Sequence, residues 1–173
     1  DDDVYQQRQD RSVTVTFPLT GPEADVREIS GVRALAWTTT PWTLPTNAAL
    51  AVGPEINYAI VPAGPKSEEK GISYLLAADT IKGYFKDLGY DNVEEALGAI
   101  SRTIIGRDLR GVEYEQIFDY YSDRDRWGLE NAWKILVAEY VETGEGTGIV
   151  HQAPAYGEED QITCSDAKIP VVI

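Results

Sequence analysis

Methionine is absent from these 173 residues, and histidine and cysteine occur once each, as His151 and Cys164. A single cysteine excludes an intramolecular disulfide. One cysteine with one histidine cannot supply the nitrogen and sulfur ligands of an ordinary zinc site, so no metal is expected. Basic residues are scarce as well: 15 Lys and Arg stand against 29 Asp and Glu, a net charge of −14. That balance argues against a free-standing nucleic-acid binder, because affinity for phosphates rests on Lys and Arg. No apolar run approaches the length that spans a bilayer, and no signal-peptide pattern opens the chain. Without methionine, the chain is expected not to begin at an encoded start. Neither an internal repeat nor a low-complexity segment interrupts it. These absences fit a cytoplasmic protein with no membrane partner.

What is present suits one domain with a sizeable core: 43% of residues are apolar and 25% charged. Residues 1–10 are acidic and polar, as in a tail or linker remnant, and the domain proper is expected over 11–173. Alternating Val and Thr predict a strand over Ser12 to Phe17, followed by a loop at Thr20-Gly-Pro-Glu. A second strand is expected over Val32 to Thr38. Two more, Asn47 to Val52 and Ile56 to Val61, flank Gly53-Pro54, which reads as a hairpin. Further strands are predicted at Ile72 to Ala77, Ser101 to Ile105 and Trp133 to Val141. Asp79 can cap a helix over Thr80 to Leu88, with Ile81, Tyr84, Phe85 and Leu88 at helical spacing and Gly89 as its stop. A helical turn is expected at Val93 to Leu97, and loop-like chain over Gly111 to Tyr121. The mixed charges and rings of Asp119 to Trp127 describe a surface loop. A helix over about Glu158 to Ala167 and a strand over Ile169 to Ile173 close the chain. Many short strands with few helices imply a mainly β fold with α elements, a distorted β-barrel decorated by helices.

Two stretches carry the chemistry. The first is Gly146-Thr-Gly-Ile-Val-His-Gln-Ala-Pro-Ala-Tyr-Gly-Glu-Glu-Asp160. A Gly-rich turn leads into a short apolar strand, Ile149-Val150, whose end presents His151. Pro154 forbids its continuation, since proline has no N–H for the ladder. Glu158, Glu159 and Asp160 put negative charge where the first turn of a helix favours it. The second is Leu35-Ala-Trp-Thr-Thr-Thr-Pro-Trp-Thr-Leu-Pro-Thr-Asn47, where an apolar strand runs into three threonines and two prolines. Pro41 and Pro45 break regular pairing, which leaves threonine hydroxyls and backbone N–H groups at a strand end. Each stretch has an ordinary structural explanation when taken alone. A lone histidine is often a satisfied core residue, an acidic triplet often a helix start, and β-branched residues are common in strands.

Together they resemble the editing domain of isoleucyl-tRNA synthetase, a domain inserted in the catalytic fold of that class I enzyme. The related valyl and leucyl enzymes usually carry an arginine after paired threonines. Here Thr40 holds that place and Trp42 follows Pro41, which is the isoleucyl pattern. The resemblance runs from about Ser12 to the end and implies a β-barrel with helices. It also implies an aminoacyl-tRNA ester hydrolase that removes valine from mischarged valyl-tRNA(Ile) and spares isoleucine. The two signatures of the synthetic active site need two histidines and a methionine, so adenylate formation is not expected in this chain.

The roles implied are these. Asp160 pairs with the substrate's α-ammonium. Thr38, Thr39 and Thr40 hold the terminal adenosine and the ester carbonyl. His151 lies beside the amino acid as a steric wall, a hydrogen-bond partner or an orienter of water. Trp42, Asn47 and Tyr156 complete the pocket, and Asp160, His151, Thr39 and Thr40 form the catalytic group. No cofactor is implied. The partners implied are the 3′ end of tRNA(Ile) carrying valine and the other domains of a parent synthetase, which must hold most of the tRNA given the acidity here. The domain itself is expected to be monomeric. A non-catalytic β-barrel binding module is the alternative from another class, and a free-standing trans-editing deacylase is disfavoured by the same acidity.

Overall fold

A computed structural model of the protein describes residues 5–7 (backbone), 13–116 and 133–153. The framework is β2 (Val13–Thr20), in which Val13, Val15, Phe17 and Leu19 alternate into the core. Along one edge β2 pairs antiparallel with β3 (Arg33–Thr38), from Val13↔Thr38 to Pro18↔Arg33. Its other edge is shared: β1 (Tyr5–Gln7) takes the first half and β8 (Glu113–Tyr114) takes Leu19 and Thr20. From β8 the ladder continues through β9 (Lys134–Val137), β4 (Ala49–Val52) and β10 (Ile149–Gln152), and returns to β3. Six strands, β2-β8-β9-β4-β10-β3, therefore close on themselves. Closure removes the free edges that an open sheet must protect.

The first residues of β3 start a second sheet region. Arg33 and Ala34 pair with β6 (Ser73–Ala77), followed by β5 (Asn57–Pro62) and β7 (Arg102–Ile105). The two faces of β3 serve two cores. Ala34 and Ala36 belong to the barrel cluster with Phe17, Leu50, Tyr58, Tyr114, Trp133 and Ile135. Leu35 joins Val61, Tyr74 and Leu76 against Ile81 and Tyr84 of α2 (Ile81–Tyr84) and Ala96 of α3 (Val93–Gly98). Small residues inside the barrel, Ala34, Ala36, Ala48 and Ala49, leave room for its large rings, and Phe17 meets Tyr114 edge-on at 5.1 Å.

Several local expectations change in the fold. The expected loop at Thr20-Gly-Pro-Glu is the start of α1 (Gly21–Val26), with Pro22 at the helix start and Glu23 in the first turn, both favourable there. Gly53-Pro54 does not make a hairpin: β4 pairs with β9 and β10, and β5 with β6 and β7. The same turn chemistry serves divergence, because Ile56 N–H bonds the Gly53 carbonyl at 3.3 Å and sends the chain out of the barrel. Asp79 does not cap a helix. It lies inside a 3₁₀ turn, Ala78–Thr80, and α2 ends at Tyr84, although helical backbone bonds run on to Gly89 at φ +96°. Asn92 does cap α3, accepting from Glu95 N–H at 2.8 Å. The stretch expected as loop over Gly111 to Tyr121 contains β8, and β9 is shorter than the strand expected over Trp133 to Val141. Tyr5–Gln7, within the expected tail, forms β1. The loop 119–127, the helix 158–167 and the strand 169–173 lie outside the described residues.

The turns after β4 and β7 press backbone on backbone. A Cβ on Gly106 would lie 1.8 Å from the Gly53 carbonyl oxygen, whereas a Cβ on Gly98 meets nothing within 4 Å. Gly106→Ala should therefore cost at least about 2–3 kcal/mol, at the upper end of overpacking penalties. Gly98→Ala should be neutral or slightly stabilising through the unfolded chain. Urea unfolding of both variants checks this; equal midpoints would contradict the close approach.

Candidate functional site at the β3–β10 rim

β3 and β10 are parallel neighbours, with Val150 opposite Trp37, so the C-terminal ends of both strands reach the same rim. Two devices deliver β10 to that position. The Tyr58 hydroxyl donates to Gly148 O at 2.5 Å and accepts from Gly53 N–H at 2.9 Å, deep enough in the core that burial pushes its pKa above the ordinary tyrosine value. Gly146, at φ +74°, lies on the Trp37 indole, where a Cβ would come within 2.5 Å of the ring. Beyond β3, Pro41 opens a 3₁₀ turn, Pro41–Thr46, whose fixed φ suits its first position. That turn folds back so that Thr43 and Asn47 face β10.

His151 is 5% exposed and both of its ring nitrogens are engaged. Nδ1 lies 2.7 Å from Nδ2 of Asn47, and Nε2 lies 2.8 Å from Oγ1 of Thr43. The surrounding bonds decide who donates. Asn47 Nδ2 also donates to Ala49 O at 3.0 Å, and the Tyr114 hydroxyl donates to Asn47 Oδ1. The amide therefore presents nitrogen, not oxygen, to the imidazole, so Nδ1 accepts and Nε2 carries the proton. Nε2–H donates to Thr43, whose own hydroxyl donates to Thr40 O at 2.8 Å. Thr40 Oγ1 stands 3.3 Å from the hydroxyls of both Thr43 and Thr38, and Thr40 N–H donates to Thr38 Oγ1 at 3.0 Å. With the Thr43 proton already committed, the hydroxyl chain runs Thr38 to Thr40 to Thr43. Trp133 Nε1 secures the Asn47 carbonyl at 3.2 Å.

Every nitrogen of this imidazole and amide is satisfied, where a buried unpaired polar group would cost about 1–3 kcal/mol. A proton added to Nδ1 would meet the Asn47 N–H₂ donor. Burial disfavours it too, and holds the His151 pKa at about 4 against the ordinary 6.5.

Of the residues singled out in the sequence, Thr38, Thr40, Asn47 and His151 meet in this network. Thr38, Asn47 and His151 are buried and Thr40 is half-buried. Thr39 is exposed, and Trp42 is 72% exposed and outside the network. Tyr156, Asp160 and Cys164 lie outside the described residues. Sequence reasoning missed Thr43, Tyr114 and Trp133. Thr43 had a signal, three positions after Thr40 in a turn, while Tyr114 had none, being distant in sequence. A cleft of about 230 Å³, lined by Asp79, Thr80, Lys82, Tyr84, Glu145 and Gly146 among others, contains none of the singled-out residues. No group of three or more His, Cys, Asp or Glu suited to a metal occurs among the described residues, and no helix among them is long and apolar enough to cross a membrane.

No protein-family model matches the chain. Isoleucine–tRNA ligase from Leifsonia xyli is 58% identical over 183 residues, covering 100% of this chain and 16% of the relative. The ligase of Tropheryma whipplei is 44% identical over 173 residues, again 100% and 16%. That of Corynebacterium diphtheriae is 48% identical over 177 residues, covering 99% and 16%. The chain thus spans about one sixth of the length of these relatives. Among solved structures, GlLeuRS-CP1 superposes with a TM-score of 0.67 at 17% identity, covering 90% of this chain and 59% of that one. The P. knowlesi cytosolic leucyl-tRNA synthetase editing domain gives 0.62 at 14% identity, covering 90% and 62%. At such identities the likeness is one of fold.

The neutral imidazole has a consequence for stability. Unfolded, His151 charges below about pH 6.5; folded, it stays neutral down to about pH 4. Between these values the unfolded state binds more protons, so the stability due to His151 is full above about 6.5 and is lost as pH falls through the window. From pH 7 to 4.5 the wild type should lose about 2–3 kcal/mol more than His151→Gln. Unfolding free energies of both proteins at the two pH values measure this; parallel losses would mean that the imidazole charges equally in both states.

Proposed function

We propose that this chain, which belongs to the isoleucyl-tRNA synthetase family and matches one segment of its members, hydrolyses the ester that joins a wrongly attached valine to the terminal adenosine of tRNA(Ile). The observation that carries this reading is the convergence of Thr38, Thr40, Asn47 and His151, drawn from two distant stretches, at one rim of a barrel. Supporting it, the similar structures are named as editing domains of leucyl-tRNA synthetases. The need for such a site is physical. One methylene is worth only about 1–3 kcal/mol in an apolar pocket, a magnitude for which isoleucyl-tRNA synthetase is itself the standard illustration. A second pocket that admits valine and clashes with isoleucine supplies the missing discrimination.

In this reading water adds to the ester carbonyl carbon, the bond to the ribose oxygen breaks, and that oxygen leaves with a proton. The products are free valine and an uncharged tRNA end. His151 is poorly suited to accept the proton, because Nε2 already carries one and Nδ1 faces the Asn47 amide. It serves instead as a fixed wall and a hydrogen-bond donor, and the neighbouring ribose hydroxyl assists the water. Thr38, Thr39 and Thr40 hold the adenosine and the ester carbonyl. Trp42, with its ring exposed, and Tyr156 complete the substrate contacts. Asp160 anchors the α-ammonium through a charge-assisted bond. The reaction is redox-neutral and needs no cofactor. With a net charge of −14, this segment leaves most of the tRNA to other domains of a full synthetase.

Asp160→Ala tests the anchor. In a variant whose circular dichroism and melting match wild type, deacylation of valyl-tRNA(Ile) should disappear, and in the full-length synthetase valyl-tRNA(Ile) should accumulate. Undiminished hydrolysis by the folded variant contradicts the role. A wild-type domain that binds the valyl ester end without turnover contradicts the hydrolase reading itself.

A further inference from the structure

The editing reading leaves two aromatic residues unaccounted for, although both reach into the site from elements that carry none of the substrate-facing motifs. Tyr114, on the two-residue strand β8, donates its hydroxyl to Asn47 Oδ1. Trp133, which precedes β9, donates its indole N–H to the Asn47 carbonyl at 3.2 Å. Trp133 holds φ +60°, a left-handed conformation that a bulky residue adopts at a cost. Its backbone accounts for that conformation: its N–H bonds Ala48 O at 2.8 Å and its carbonyl accepts from Tyr114 N–H at 3.1 Å. The two residues are thus tied to each other and both grip Asn47, on its side chain and on its backbone.

We infer that Tyr114, supported by Trp133, is a positioning residue that fixes the orientation of the Asn47 amide and through it the tautomer of His151 and the direction of the threonine hydroxyl chain. An amide has two orientations that packing alone scarcely distinguishes, since oxygen and nitrogen occupy nearly equal space. Hydrogen bonds distinguish them. Ala49 O, an acceptor only, requires nitrogen on its side, and the Tyr114 hydroxyl supplies a proton to the oxygen on the other. With Tyr114 gone, Asn47 Oδ1 is buried without that donor and Ala49 O alone holds the amide; an amide that then turns gives up the Ala49 O bond and offers its oxygen to an Nδ1–H tautomer. In that state Nε2 carries no proton, the Thr43 hydroxyl turns to donate to it, and the bond to Thr40 O is given up. One hydroxyl removed at β8 therefore changes which atoms offer protons along Thr43, Thr40 and Thr38, where the substrate is held. This consequence rests on the editing reading; the tautomer assignment does not.

The test reads the tautomer directly. Nitrogen-15 shifts of His151, the only histidine, report which ring nitrogen is protonated in the wild-type protein without further assignment. The Nε2–H form is expected, and an Nδ1–H form in wild type would overturn the proposal whether or not any variant folds. In Tyr114→Phe the Nδ1–H form should become populated, and kcat for valyl-tRNA(Ile) deacylation should fall about fivefold or more at little-changed KM. Tyr58→Phe is the control, a buried tyrosine of the same barrel whose hydroxyl, among the described residues, bonds only Gly148 and Gly53 backbone, and it should melt lower yet keep the Nε2–H signature. Equal disturbance of His151 by both variants, or an unchanged tautomer in Tyr114→Phe, would overturn the role. A shifted tautomer in a protein that shows no deacylation even as wild type would leave the positioning role standing and sink the editing reading.

Discussion

A buried imidazole has two nitrogens to satisfy, and in this protein their partners come from one short turn that begins where β3 ends. His151 accepts from Asn47 at Nδ1 and donates to Thr43 at Nε2. Neither contact is possible unless β10 lies parallel beside β3, so the closure of the barrel and the construction of the site are one event. The residues just before β10 are anchored as well, by the Tyr58 hydroxyl on Gly148 and by the Trp37 ring beneath Gly146. Removing the imidazole would leave the Asn47 amide and the Thr43 hydroxyl short of partners in a place that water does not reach freely. The same burial that makes the partners obligatory keeps the ring neutral.

A neutral, doubly held ring is suited to shape and to donation more than to proton transfer. Close-packed surroundings resist expansion, so a fixed ring can reject one extra methylene by overlap, whereas attraction for a missing one is weak. The threonines beside it supply small groups whose hydroxyls are ordered in one direction. Ester hydrolysis by a positioned water asks for geometry and donors of this kind. In the editing reading proposed above, a net charge of −14 leaves nucleic-acid affinity to other domains, so that only the aminoacylated end of the tRNA need enter.

The mainly β architecture was legible because β2 alternates cleanly, with Val13, Val15, Phe17 and Leu19 on one face. The rim was legible as well, because the threonine–proline run and the histidine stretch each read as a strand ending. Connectivity was not. Gly53-Pro54 has the turn chemistry of a hairpin whether the strands pair or part, and only distant ladders decide between them. β8 has two residues, too few to show a period of two. The link between Asn47 and Tyr114 has no local signature, since a hydrogen bond across 67 positions depends on closure. Asn47 was noticed for its place in a motif, and its physical role came from the two rings that grip it.

The central claim is that the immobilised imidazole forms the wall that separates valine from isoleucine. The most direct measurement is the ratio of valyl to isoleucyl deacylation rates on tRNA(Ile), in wild type and in His151→Ala, made in the full-length synthetase. If the ring is the wall, the ratio falls in the variant, because isoleucyl esters gain access even as the absolute valyl rate declines. If both rates fall together and the ratio holds, His151 serves the site only as a structural hub, and the claim is wrong.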